Sequence, residues 1–178
     1  MGQKRGLWVD DAMHILHFYG QTFPCDRDIE AALAWNNYAL LLSSNTDCLS
    51  LWDNEGLVRL TKIGVYPQDM AVQENQVVVC GGADGKLYLL ALPDLTKITV
   101  FAVPGLPERL CIVENTVYIL TLMVEPEVHT LLIRLSCGQW GVLRTFAGIP
   151  EAIAADKSGL WVAVSEGVTR LLWEEIKT

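Results

Sequence analysis

Pro67-Gln68-Asp69-Met70-Ala71-Val72-Gln73-Glu74-Asn75-Gln76-Val77-Val78-Val79 lines up with Pro107-Glu108-Arg109-Leu110-Cys111-Ile112-Val113-Glu114-Asn115-Thr116-Val117-Tyr118-Ile119 without a gap. A third copy runs from Pro150 to Val162 and keeps the proline, the apolar run Ala152-Ile153-Ala154 and a polar turn at Ser158. An earlier copy lacks the proline but retains Ala32-Leu33-Ala34, the turn Trp35-Asn36-Asn37 and Ala39-Leu40-Leu41. The turn residues Asn37, Asn75, Asn115 and Ser158 are 38, 40 and 43 positions apart. A period near 40 matches the ~40–45 residues of a propeller blade, and such a unit buries its apolar faces only by stacking on its neighbours.

Each copy reads as four short strands. An apolar run bounded by turn residues is a strand buried on both faces, and the Asn-containing turn leads into a second run rich in Val, Leu and Ile. A further turn opens the third strand: Asn45-Thr46-Asp47 before Cys48 to Trp52, Gly81 to Gly85 before Lys86 to Leu90, and Ser165-Glu166-Gly167 before Val168 to Trp173. The fourth strand is Leu57 to Ile63, Lys97 to Val103 or Trp140 to Phe146. No helical period intervenes, so the expected fold is all-β, a propeller of four-stranded antiparallel blades. The expected repeats are 29–66, 67–106, 107–149 and 150–173 of one domain covering residues 1–178. The last repeat ends after its third strand, while 13–19 resembles a fourth strand and Gly6-Leu7-Trp8 echoes Ser50-Leu51-Trp52. The N-terminal strand is therefore expected to complete the last blade.

Ser44-Asn45-Thr46-Asp47-Cys48-Leu49-Ser50-Leu51-Trp52-Asp53 resembles the end of a WD-repeat blade, and Gly82 to Leu89 resembles the same segment without its Trp-Asp. The Pro-x-x-apolar-apolar-apolar pattern is similar to bacterial propellers of the quinoprotein-dehydrogenase and lactonase groups. The resemblance implies the architecture. Propellers of these families usually have seven or eight blades, so four repeats close either alone as a four-bladed ring or as half of an eight-bladed ring of two chains. Wide, weakly curved blades favour the homodimer.

Charge narrows the partners. Thirteen Lys and Arg stand against 21 Asp and Glu, a net charge of -8, which opposes binding to phosphate backbones or anionic lipid. Neither nucleic acid nor membrane is an expected partner. The start Met1-Gly2-Gln3-Lys4-Arg5 and the short run Gly6 to Val9 make no signal-peptide core, and no run reaches the ~20 apolar residues of a membrane helix. The five cysteines are odd in number and never two residues apart, which reads as reduced thiols in a cytoplasmic protein rather than a disulfide or zinc framework.

Candidate site residues lie where loops enter the innermost strands. Two places before each apolar triplet stand Glu30, Gln68, Glu108 and Glu151, with Asp69 and Arg109 beside them. Side by side at a channel mouth, such carboxylates would raise one another's proton affinity and attract a cation or a basic ligand. His14 and His17, three apart on a strand, face opposite sides, so no metal ligand set is expected and no cofactor either. Trp52, Trp161 and Trp173 read as packing between blades, and Trp8, Trp35 and Trp140 as possible partner contacts. Gly81 to Gly85 precedes a strand and so reads as a hairpin loop rather than a phosphate loop. The expected function is a non-catalytic binding or scaffold module for a protein or peptide. The alternative is a small-molecule or metal-dependent enzyme of lactonase or quinoprotein type.

Overall fold

The computed structural model describes residues 6–176. The Met1–Arg5 start, on which the compartment expectation rests, lies outside them. Five antiparallel sheets follow one another along the chain. The first is β1 (Leu7–Asp10), β2 (Ile15–Phe18) and β3 (Gln21–Pro24); the second is β4 (Ile29–Trp35), β5 (Tyr38–Ser43), β6 (Cys48–Trp52) and β7 (Leu57–Lys62). The third holds β8 (Asp69–Gln73), β9 (Gln76–Cys80), β10 (Lys86–Ala91) and β11 (Thr96–Ala102), and the fourth β12 (Leu106–Val113), β13 (Thr116–Met123), β14 (His129–Ser136) and β15 (Gln139–Ala147). The fifth is β16 (Pro150–Asp156), β17 (Gly159–Val164) and β18 (Gly167–Leu172), followed by the single-turn α1 (Trp173–Ile176). Among the described residues no helix is long and apolar enough to cross a membrane.

The sheets stack as blades through their first strands, β1 on β4, β4 on β8, β8 on β12 and β12 on β16. Side chains alternate along each strand, so one strand feeds two cores. In β5, Leu40 and Leu42 join Val77 and Val79 of the third blade, whereas Ala39 and Leu41 join Leu16 and Phe18 of the first. In β9, Val78 and Cys80 pack with Ile119 and Ile133 of the fourth blade, whose Tyr118 and Leu120 in turn pack with Leu160 and Val162 of the fifth. Burial on both faces is why these strands are continuous apolar runs. At the two free ends the pattern changes: Trp8 and Trp161 are 53% and 40% exposed.

One expectation is overturned and another is not borne out. The N-terminal strand does not complete the last blade, and the described residues form five sheets in an open arc, where four repeats were expected, either as a closed ring or as half of a ring of two chains. Ile15 to Phe18 pairs with β1 and β3 through short local turns, and Leu16 and Phe18 bury against the second blade, far along the chain from Leu171. Local pairing closes small loops and costs little entropy, whereas joining the chain's two ends would close a loop of most of its length. Leu7-Trp8, likened to a third strand, instead opens the innermost strand of the first blade.

The turns also differ in detail. In the turns after β4, β8 and β12 the left-handed backbone falls on Asn36, Glu74 and Glu114 (φ 52°, 53° and 54°), one residue before the asparagines that mark the repeat. The Gly81–Gly85 segment is a hairpin loop between β9 and β10 that also docks the preceding linker: Ala83 N–H donates to the Val65 carbonyl (2.8 Å), and Gly82 bridges Val65. The Trp-Asp pair acts locally. Trp52 Nε1 donates to Ser50 Oγ (2.8 Å), which donates to the Leu41 carbonyl (3.3 Å), and Asp53 Oδ1 accepts from the backbone of Glu55 and Gly56. Among the other tryptophans, Trp35 is packed between blades and Trp161 faces outward, the reverse of their expected roles. Trp173 heads α1 and packs against Tyr118.

Candidate functional site

The first strands of the second, fourth and fifth blades each carry a register shift near their start. The residues passed over are Glu30, Glu108 and Glu151, so each of these glutamates sits on a bulge, a device that re-aims a side chain away from the ladder. Gln68 lies one residue before β8, with its amide donating to the Tyr66 carbonyl (3.0 Å).

The starts of the innermost strands are joined by staples between blades. Asp69 Oδ2 accepts from the Leu110 N–H of the fourth blade (2.9 Å), and its Oδ1 accepts from Met70 N–H (2.8 Å). Arg109 Nε donates to the Glu151 carbonyl of the fifth blade (2.9 Å), and another guanidinium nitrogen donates to the Glu108 carbonyl (2.8 Å). Glu30 Oε1 accepts from Ser44 Oγ within its own blade (2.6 Å). Electrostatically, Glu30, Asp69, Glu108 and Arg109 form one group. Burial raises the Glu108 carboxyl above its ordinary value, against the nearby Arg109, and Glu30 raises it further. Burial also raises Asp69, while the amides of Leu110 and Met70 and the Arg109 charge pull it down. Glu151 enters through its backbone carbonyl alone, and Gln68 is turned aside.

Two thiols lie near these carboxylates. Burial pushes Cys111 up to about 12 with help from Asp69, and pushes Cys80 well up with help from Asp69 and Glu108. Both are therefore protonated and poor nucleophiles at neutral pH. Among the described residues no group of three His, Cys, Asp or Glu side chains is placed to hold a metal ion. His14 sits at a left-handed position before β2 (φ 55°), and the His17 ring stacks on Trp8 with centroids 3.7 Å apart.

A second feature was not singled out from the sequence. Between the third and fourth blades, at the end with the β8–β9 and β12–β13 turns, lies a cavity of about 250 Å³. Val78, Leu89, Phe101, Val117 and Leu135 form an apolar floor, and Gln73, Gln76 and Asn115 a polar rim. Cys137, exposed and free, stands at its mouth. The available signal was the mismatch of Gln73 and Gln76 with Trp35 and Tyr38 at equivalent positions of the repeat.

No family model and no curated protein sequence matches the chain. Solved structures do. The WD40 β-propeller domain of Doa1 is similar over 92% of this chain and 59% of its own, at 11% identity and a TM-score of 0.71. The dihydro-heme d1 dehydrogenase NirN, in complex with DHE, is similar over 96% of this chain and 41% of its own, at 14% identity and a TM-score of 0.73. A computationally designed protein, Ika4, is similar over 81% of this chain and 90% of its own, at 16% identity and a TM-score of 0.62. The chain thus spans about half the length of the two natural proteins. Identities this low carry the propeller fold alone, which hosts binding and catalysis alike.

Proposed function

We propose that the chain is a non-catalytic binding module that presents its blade clefts and loops to a protein or peptide partner. The observation that carries this reading is the use made of the ionisable groups at the starts of the innermost strands. Asp69 and Arg109 are spent on tying the third blade to the fourth and the fourth to the fifth. The apolar cleft between the third and fourth blades, by contrast, opens to solvent. Partners of proteins are recognised through such partly apolar, polar-rimmed surfaces. The test is affinity capture from the source cell with the full chain as bait, followed by native mass measurement. A reproducible stoichiometric partner is the expected result; repeated recovery of the bait alone, together with turnover of a small substrate, overturns the reading.

The proposal includes a second copy of the chain among the partners. Among the described residues both end blades have three strands instead of four and turn an uncovered face outward. Light scattering should give about twice the 19.7 kDa of one chain.

One observation favours an alternative, a small-molecule or metal-dependent site. Glu108, raised by burial, is raised further by the Glu30 charge, and a cation or amine would relieve that repulsion. Thermal melts with divalent cations or pyrroloquinoline quinone separate the readings through ligand linkage. An unchanged midpoint is expected for the binding module; a saturable rise would favour the alternative.

A further inference from the structure

The repeat contains an internal template for the cleft between the third and fourth blades. Trp35 and Tyr38 close the β4–β5 turn and pack, partly buried, in the interface of the second and third blades. Their rings stack with centroids 5.7 Å apart. Trp35 Nε1 donates to the carbonyl of Glu74, on the turn of the next blade (2.7 Å). One blade further on, the residues closing the β8–β9 turn are Gln73 and Gln76. Gln73 makes the same link, its Nε2 donating to the Glu114 carbonyl and to Asn115 Oδ1. Two carboxamides do not fill the space of an indole and a phenol, however, and the floor behind them remains apolar. The result is a slot of about 250 Å³ at the place where the preceding interface seats aromatic rings.

We infer that this slot receives the indole side chain of a tryptophan carried on a basic peptide. The inference rests on the peptide-binding reading above and names its ligand. A planar apolar ring suits a floor of Val78, Leu89, Phe101, Val117 and Leu135. The ring N–H suits a rim that presents the carboxamides of Gln73, Gln76 and Asn115. Charge sets the flanking residues. Glu74 lies on the rim and Glu114 beside it, both exposed, on a chain of net charge -8, so Lys or Arg next to the tryptophan is attracted and an acidic neighbour repelled.

The probe is a blocked Lys-Trp-Lys tripeptide titrated into the full chain and followed through the methyl NMR signals of Val78, Leu89, Val117 and Leu135. Saturable shifts at these methyls are expected, with binding weakened at least ~5-fold for Lys-Leu-Lys and again for Glu-Trp-Glu. Transplanting the neighbouring pair, as Q73W/Q76Y, should fill the slot, raise the melting temperature by roughly 2–4 °C and abolish the shifts. A measurement on the unaltered chain stands in if that variant fails to fold: the tripeptide should slow alkylation of Cys137 at the mouth at least ~3-fold, because an occupied cleft restricts access to the thiol. No saturable shift at the cavity methyls, or equal binding of the leucine peptide, overturns the assignment. The two levels separate cleanly. A partner captured equally by wild type and by a folded Q73W/Q76Y chain sinks the slot but keeps the binding module, whereas tripeptide binding with no captured partner and with turnover of a small substrate sinks only the broader reading.

Discussion

Asp69 joins two blades through one carboxylate. Asp69→Ala leaves the N–H of Leu110, a residue 5% exposed, without its acceptor, and should cost about 1–3 kcal/mol in the denaturant midpoint at constant slope. Asp69→Asn keeps one acceptor oxygen, enough for the Leu110 N–H but not also for the Met70 N–H, and should restore part of the loss; equal loss in both variants would show that the retained acceptor does not replace the carboxylate. Glu108 carries a pH signature. Its folded pKa is raised, so above the unfolded value the native state holds its proton longer. The associated stability is present below roughly pH 4 and is lost as pH rises through the raised value. Glu108→Gln should therefore flatten the fall in stability that accompanies deprotonation of this carboxyl, and raise the melting temperature above the pH at which it ionises. A fall as steep as in wild type would contradict this. Glu30, Glu108 and Glu151 were legible as acidic positions at a fixed offset from each apolar triplet. The bulges that seat them were not, because a register shift depends on how two strands pair, not on the composition of either.

At the scale of elements, local chemistry was read well and pairing partners less so. The fourth strands predicted at Leu57, Lys97 and Trp140 are β7, β11 and β15, each within a residue at its start. The strand at 13–19 was found but given the wrong neighbour, since likeness to an outer strand says nothing about which hairpin forms first and cheapest. The Gly81–Gly85 loop shows how a turn can do more than reverse the chain. Gly82 has φ +62°, and a Cβ there would stand 2.0 Å from the Tyr66 carbonyl oxygen. Gly82→Ala should cost well over ~1 kcal/mol, since it adds a backbone clash to a left-handed angle. Its expected readout is a lowered melting temperature with the linker around Val65 the first segment to gain hydrogen exchange. A neutral melt would show that the linker is not held by this loop.

Over the whole molecule, stacking of neighbours in an open arc makes stability a sum of interface terms. The third blade is covered on both faces, whereas the first and fifth each have one covered face and three strands. Native-state exchange should therefore be slowest in β9 and β10 and fastest in β3 and β18; uniform protection throughout would mean that the arc unfolds as one unit. The sequence by itself determined that the protein is built of stacked antiparallel sheets of about 40 residues, because strand and turn preferences and two-faced burial are written locally in the apolar runs and their punctuation. Only the tertiary structure decided the number of blades, the openness of the arc and the cleft left by Gln73 and Gln76. Those depend on which faces meet and how completely two facing sets of side chains fill the space between them, a property of pairs of distant segments that neither segment carries alone.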